Sequence, residues 1–405
     1  MTLVEVALGI VSLLLLWQFV GYPVLMGLVA LGAKPRDRNR AYSPFVSIIV
    51  PAYNEREVMG KRLENLVSLD YPKDMYEIIV VESGSTDGTR EVVQDYMAGT
   101  PNHTPRVTLL REGERRGKAS AINLGKSHAK GEIILVTDAN STFQGNVLRE
   151  MMPHFQDPNV GAVGGRYIVS NPDNIHTSSE SFYWDLEYIM RRGESVVDSA
   201  CLFHGEINAW RKDLVDEADT EIISEDLDMA IRIRRQGYKI EYEPDAKVHE
   251  PSAVTAKGQI IRRKKVSTGT ILCIFKHLGY FALPRDLYSL LIFPSHKGLT
   301  MLSPFLLLAI PILYFVSGDI RLVLVHLILT LLIFGVLLGA LLFLRSRLID
   351  RPRRPTNGAS IGSLPRILYY VLLNEYLVFL AWIDFVLGRY SVLWEKAEST
   401  RDVAP

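Results

Sequence analysis

The chain has only two cysteines, Cys201 and Cys273, in 405 residues. That scarcity excludes a disulfide framework and a metal–thiolate centre, and it fits a reducing compartment for the soluble part. Net charge is also absent: 45 Lys and Arg offset 45 Asp and Glu. Composition therefore points to no polyanionic partner, and no nucleic acid is expected. There is no internal repeat and no low-complexity segment. The first apolar run lacks a basic start and a small-residue cleavage site, so it reads as a retained anchor rather than a removed signal peptide.

Apolar residues are plentiful. Hydrophobic content is 48%, high for a soluble protein but dilute for a pure transporter. The length accommodates a soluble domain of about 200 residues plus several spans. Val6–Leu31 is nearly all apolar and long enough for ~30 Å of hydrocarbon. Gly298–Val316, Leu322–Leu344 and Ile367–Leu387 qualify as well. Lys34, Arg36, Arg38 and Arg40 follow the first run, and Arg345, Arg347, Arg351, Arg353 and Arg354 separate the last two. This bias predicts an outside N-terminus, a cytoplasmic middle and an outside C-terminus in the cell membrane. Asn374, Glu375 and Asp384 fall inside the last run, where a helix-packing contact is the favoured reading over a polar path for acceptor or product. Gln259–Pro294 mixes Ile260, Ile261 and Val266 with Arg262, Arg263, Lys264 and Lys265, which reads as amphipathic helices meeting membrane lipids. The expected organisation is a span in residues 1–33, an α/β domain in 44–256, interface helices in 257–296, three spans in 297–390 and a tail in 391–405.

Within the middle, Val46–Pro51, Glu77–Glu82, Val107–Arg111 and Glu132–Thr137 are β-rich runs. Val58–Leu69, Arg90–Met97 and Lys118–His128 are helical stretches between them. Strand–helix alternation predicts a Rossmann-like, mainly parallel sheet with helices on both faces. Ligands in such sheets bind beyond the carboxyl ends of the strands. Oxygen-rich clusters stand there: Ala52-Tyr53-Asn54-Glu55, Glu82-Ser83-Gly84-Ser85 and Asp138-Ala139-Asn140. Carboxylates at strand tips suit a metal-bound phosphorylated ligand. Glu225, Asp226 and Asp228 open a further helix, where the helix dipole alone favours acids. Lys118, at a helix start, suits phosphate but also suits plain solvation. Trp210 fits sugar stacking or core packing, and His249 is expected in the loop after a Tyr238–Tyr242 strand.

Pro51-Ala52-Tyr53-Asn54-Glu55, Gly84-Ser85-Thr86-Asp87-Gly88-Thr89, Gly117-Lys118, Asp138-Ala139-Asn140 and Glu225-Asp226 occur in the order seen in family 2 glycosyltransferases. Over residues 46–269 the chain resembles the membrane-bound branch containing poly-N-acetylglucosamine, hyaluronan and cellulose synthases. The resemblance implies a GT-A fold, a nucleotide-sugar donor, a polysaccharide or lipid-linked acceptor and inversion at the anomeric carbon. It places Pro51, Tyr53, Glu55, Glu82, Ser85, Lys118 and Asp138 around the donor. Glu82 stands where the family has an Asp that accepts a hydrogen bond from the nucleotide base, and uridine is favoured by analogy. Asp138 resembles the first acid of an Asp-x-Asp motif that holds a divalent cation, Mg²⁺ or Mn²⁺, with Asn140 in place of the second acid. Asp226, paired with Glu225, matches the catalytic base. Gly205, Glu206 and Trp210 fall in the acceptor-side segment. Gln259 and Arg262 match a Gln-x-x-Arg-Trp motif that contacts the diphosphate, but Arg263 replaces its Trp, so single addition and processive synthesis both stay open. A non-catalytic membrane protein using the fold as a nucleotide-sugar binding module is the alternative. Oligomerisation is left open.

Overall fold

The structure is a computed structural model that describes residues 2–33, 38–99, 105–171, 175–251, 255–349 and 364–393. Lys34, Arg36, Arg351, Arg353 and Arg354, and the tail beyond residue 393, lie outside the described residues. The chain divides into two units. One comprises Pro35–Trp184, Leu202–Cys273 and Tyr390–Pro405; the other comprises Met1–Lys34, Asp185–Cys201 and Ile274–Arg389.

The first of these units is built on one eight-stranded sheet. Its strands are β1 (Val46–Ala52), β2 (Tyr76–Ser83), β3 (Arg106–Glu112), β4 (Ile133–Val136), β5 (Thr142–Phe143), β6 (Val160–Val169), β7 (Asn208–Arg211) and β8 (Lys239–Glu250). Their spatial order is β3-β2-β1-β4-β7-β6-β8-β5. Strands β1 to β4 run parallel, as do β6 and β8, whereas β7 runs antiparallel between β4 and β6. Ile48, Ile49 and Val50 are all fully buried, as expected for strands covered by helices on both faces. Helix Arg56–Val67 turns Met59, Leu63 and Leu66 onto the sheet at helical spacing. Each such fully buried side chain contributes about 1.5–3 kcal/mol of transfer free energy. The GT-A-like, mainly parallel architecture is as expected, and helix Lys118–His128 has the expected bounds. The last long strand is a correction. It does not stop at Tyr242 but continues to Glu250, so His249 is a strand residue paired with Thr142 rather than a loop residue. Pairing with both β5 and β6 holds the strand extended beyond the point where apolar alternation fades.

In the other unit, among the described residues, three helices are long and apolar enough to cross a membrane: Leu3–Gly32, Tyr288–Ser317 and Ile320–Leu348. They expose Leu13, Phe315 and Val336 widely, a surface suited to hydrocarbon rather than water. The fourth expected span coincides with helix Leu364–Val386. Its Glu375 is buried and accepts a 2.6 Å hydrogen bond from Ser303 Oγ, a helix-packing contact. Arg345 is bound to Asp185 at 2.5 Å.

The same unit contains a closed ionic cluster. His296 lies 2.6 Å from Glu194 and 3.1 Å from Glu187 through its two ring nitrogens. Glu187 also binds Lys297 at 2.9 Å and Arg191 at 2.7 Å. Glu194 accepts from Tyr22 Oη at 2.7 Å and from the Cys201 backbone N–H at 2.9 Å. The neighbouring turns Trp17–Gly21 and Pro294–Gly298 are π-helical. Both cysteines of the chain are free thiols and fully buried.

Candidate active site

The carboxyl ends of β1 and β2 are laced together. Asn54 adopts a left-handed backbone at φ 53°. Its backbone N–H donates to Ser85 Oγ at 3.0 Å, and its side-chain oxygen accepts from the Thr86 backbone N–H at 2.8 Å. The Glu55 backbone N–H donates to Thr89 Oγ1 at 2.7 Å, and that of Arg56 to Asp87 Oδ2 at 3.1 Å. The buried Glu82 carboxylate accepts from the Ser85 backbone N–H and lies 3.7 Å from Arg111 Nε. Glu82 thus shapes the turn. Pro51 is partly buried at the end of β1, and the Tyr53 ring carries the Arg115 guanidinium 4.2 Å from its centroid.

Beyond β4, Asp138 joins Glu206 and Glu250. Each offers a ligand oxygen, and the three lie within 4.8 Å of one another. An all-oxygen acidic set of this kind fits a hard divalent cation. Burial and the nearby Glu206 and Asp138 carboxylates push Glu250 up to about 8, with Arg262 opposing. Burial likewise raises Glu206, aided by Asp138 and opposed by Arg262 and Lys118. The cluster is thus short of positive charge, the condition a bound cation would relieve. Asn140 is partly buried two residues past Asp138.

Lys118 connects this cluster to the candidate base. Its Nζ sits 2.6 Å from Asp138 Oδ1 and 3.6 Å from Glu225 Oε1, and it donates to the Gly205 carbonyl at 3.3 Å. Burial opposes its charge, but Asp138 and Glu225 outweigh that and hold it above the ordinary lysine value. A methyl group on Gly205 would lie 3.0 Å from Lys118 Nζ and 3.8 Å from Asp226 Oδ2, so the chain at Gly205 passes beside Asp226. Burial and the adjacent Glu225 push Asp226 up to about 7, with Lys118 pulling it down. Asp138 and Asp226 thus both lie beside Lys118.

Helix Ala256–Lys276 supplies the opposite wall. Arg262 Nη2 lies 2.9 Å from Glu206 Oε1, and Nη1 lies 3.8 Å from Glu180 Oε1. Gln259 Nε2 donates to Glu180 Oε2 at 3.5 Å. Arg263 stands over the Tyr183 ring at 5.5 Å. Gly269 lets the helix approach: a methyl there would collide with Ser224 Oγ.

Trp210 requires a correction. It is 1% exposed in β7, opposite Ile134 and Ala162 on the flanking strands, so it fills the sheet core and has no ring face for a sugar. Sequence reasoning missed Glu250, Glu180 and Arg62. Arg62 is 2% exposed, donates to Thr137 Oγ1 at 2.5 Å and is pushed down to about 9 by burial. Its signal was a charge beside Leu63 on the apolar face of a helix. Glu250 was legible only as an acid at the end of a strand longer than the alternation suggested. Lys265, read as a membrane-facing base, lies near Glu225, Lys118 and Arg115 and is pushed down to about 6 by burial.

Known proteins are similar to this chain in sequence and fold. The family described as Glycosyl transferase family 2 matches residues 47–217, and Glycosyl transferase family group 2 matches residues 133–344, more than half of the chain. The chain belongs to glycosyltransferase family 2. It is 29% identical to a beta-monoglucosyldiacylglycerol synthase from Nostoc sp. over 261 residues, covering 62% of this chain and 55% of that protein. It is 28% identical to a poly-beta-1,6-N-acetyl-D-glucosamine synthase from Staphylococcus epidermidis over 206 residues, covering 50% of this chain and 48% of that protein. The chain thus spans about half the length of these curated relatives. In fold it is similar to the mannosyltransferase PcManGT from Pyrobaculum calidifontis, solved with GDP-Man and Mn²⁺: TM-score 0.69, 24% identity, 96% of this chain and 99% of that one.

Proposed function

We propose that the chain is a membrane-embedded, inverting glycosyltransferase that moves a sugar from a cytosolic nucleotide-sugar to a glycan or lipid-linked acceptor. The observation that carries this reading is Lys118, which joins the Asp138–Glu206–Glu250 cluster to the Glu225–Asp226 pair. A divalent cation held by Asp138, Glu206 and Glu250, with the neutral Asn140 oxygen beside them, would neutralise charge on the departing diphosphate. Lys118 and Arg262 meet the phosphate oxygens from two sides, Arg262 with a fork suited to them. Pro51, Tyr53, Glu55 and Ser85 frame the nucleotide, and Glu82 fixes the turn that does so. Asp226 takes the proton from the acceptor hydroxyl as it attacks the anomeric carbon, and Glu225 holds Lys118 close and keeps Asp226 basic. A pKa of about 7 leaves Asp226 substantially ionised near neutral pH and basic enough to accept that proton.

The relatives act, by their names, on a glycolipid and on a polysaccharide, so both acceptor classes belong in the test. Purified full chain in lipid nanodiscs is incubated with a panel of UDP- and GDP-sugars, glycolipid and oligosaccharide acceptors and Mn²⁺ or Mg²⁺. Products are read by mass spectrometry. Sugar on an acceptor together with a nucleoside diphosphate supports the proposal. Released pyrophosphate indicates nucleotidyl transfer instead, and binding without turnover indicates the non-catalytic module.

A further inference from the structure

Two cations beside the carboxylate cluster occupy side chains a metal ion would use. Lys118 Nζ is 2.6 Å from Asp138, and Arg262 Nη2 is 2.9 Å from Glu206. Each is part-exposed, at 16% and 24%, and each ends a long flexible stem. Lys118 also opens helix Lys118–His128, whose first backbone N–H groups favour anions. Arg262 has a second carboxylate, Glu180, at 3.8 Å, so it can leave Glu206 without losing all compensation. A positive group against Asp138 and another against Glu206 oppose the approach of a divalent cation. An arriving diphosphate attracts both groups and removes that opposition.

We propose that Lys118 and Arg262 are place-holders that exchange partners, carboxylate for phosphate, and thereby make binding of a divalent cation and of a nucleoside diphosphate mutually dependent. This rests on the donor-site reading above. Binding alone, with no turnover, carries the coupling. Linkage requires it to be reciprocal: the factor by which nucleotide tightens metal equals the factor by which metal tightens nucleotide.

The test measures Mn²⁺ binding to the full chain in nanodiscs from the electron paramagnetic resonance signal of free Mn²⁺, alone and with UDP or GDP. In the native protein one of the nucleotides tightens Mn²⁺ binding by about tenfold or more, within the usual range of coupling between sites. Lys118→Met tightens Mn²⁺ binding in the absence of nucleotide by about tenfold and reduces the coupling, and Arg262→Gln moves both quantities the same way. Circular dichroism identifies a variant that does not fold, and the other variant then decides. Equal Mn²⁺ affinity with and without bound nucleotide in the native protein overturns the exchange alone. So does a folded variant that binds Mn²⁺ no more tightly than the native chain. If neither nucleotide binds at any Mn²⁺ concentration, the donor-site reading fails and the exchange fails with it.

Discussion

Each of the two units buries charge, and they do so in opposite ways. Around His296 every acid is matched: Glu187 has Lys297, Arg191 and the imidazole, while Glu194 has the imidazole, the Tyr22 hydroxyl and a backbone N–H. A carboxylate faces each ring nitrogen of His296. At the strand tips, five acids (Asp138, Glu206, Glu250, Glu225 and Asp226) gather around Lys118, Arg262 and Arg62. In the first arrangement each acid has several partners, whereas in the second the acids outnumber those three cations, the condition a bound cation would relieve. A buried ionic cluster is therefore informative about function only once its sum is taken.

Four measurements bear on this contrast. Asp226→Asn should lower the transfer rate by about 10²–10⁴-fold while nucleotide affinity stays within twofold or so; full turnover would remove Asp226 from the chemistry. Glu194→Gln should destabilise by about 1.5–3 kcal/mol, because it removes the charged acceptor that His296, the Tyr22 hydroxyl and the Cys201 N–H share. Glu250→Gln, taking one of three crowded acids away, should cost no more than about 1 kcal/mol, the worth of its bond to Ser141. Thermal unfolding of both variants in nanodiscs reads the difference, and equal losses would erase the contrast. Gly269→Ala should cost about 1–3 kcal/mol and raise the donor KM, since the added methyl forces the helix bearing Arg262 away from Ser224. The pH profile comes last. Because Asp226 must be ionised to act and its pKa is raised to about 7, kcat/KM should fall about tenfold per unit below that value and level off above it. A profile flat down to pH 5 would place the proton elsewhere.

The sheet and its helices were legible because Ile48–Val50, Ile78–Val81 and Ile133–Val136 form unbroken apolar runs closed by polar tips. The acids at those tips were legible for the same reason, since the end of a strand is a defined place. β7 has four residues and β5 two, too few for a period to emerge, so the antiparallel turn of the sheet was hidden. Glu250 was hidden with it: the far half of β8 is held by its neighbours rather than by its own alternation. Trp210 was misplaced because a tryptophan beside Gly205 and Glu206 looks the same in sequence whichever face of the strand it occupies. Arg262 was found by motif, but its partners, Glu206 and Glu180, come from distant segments that only folding brings together.

Cys201 and Cys273 are shut away from solvent in the native fold. A maleimide dye added to the intact protein should therefore leave it dark. A single cysteine introduced at exposed Lys257 on the helix that carries Arg262 would then be the sole bright position, and its emission would report movement of that wall as donor arrives.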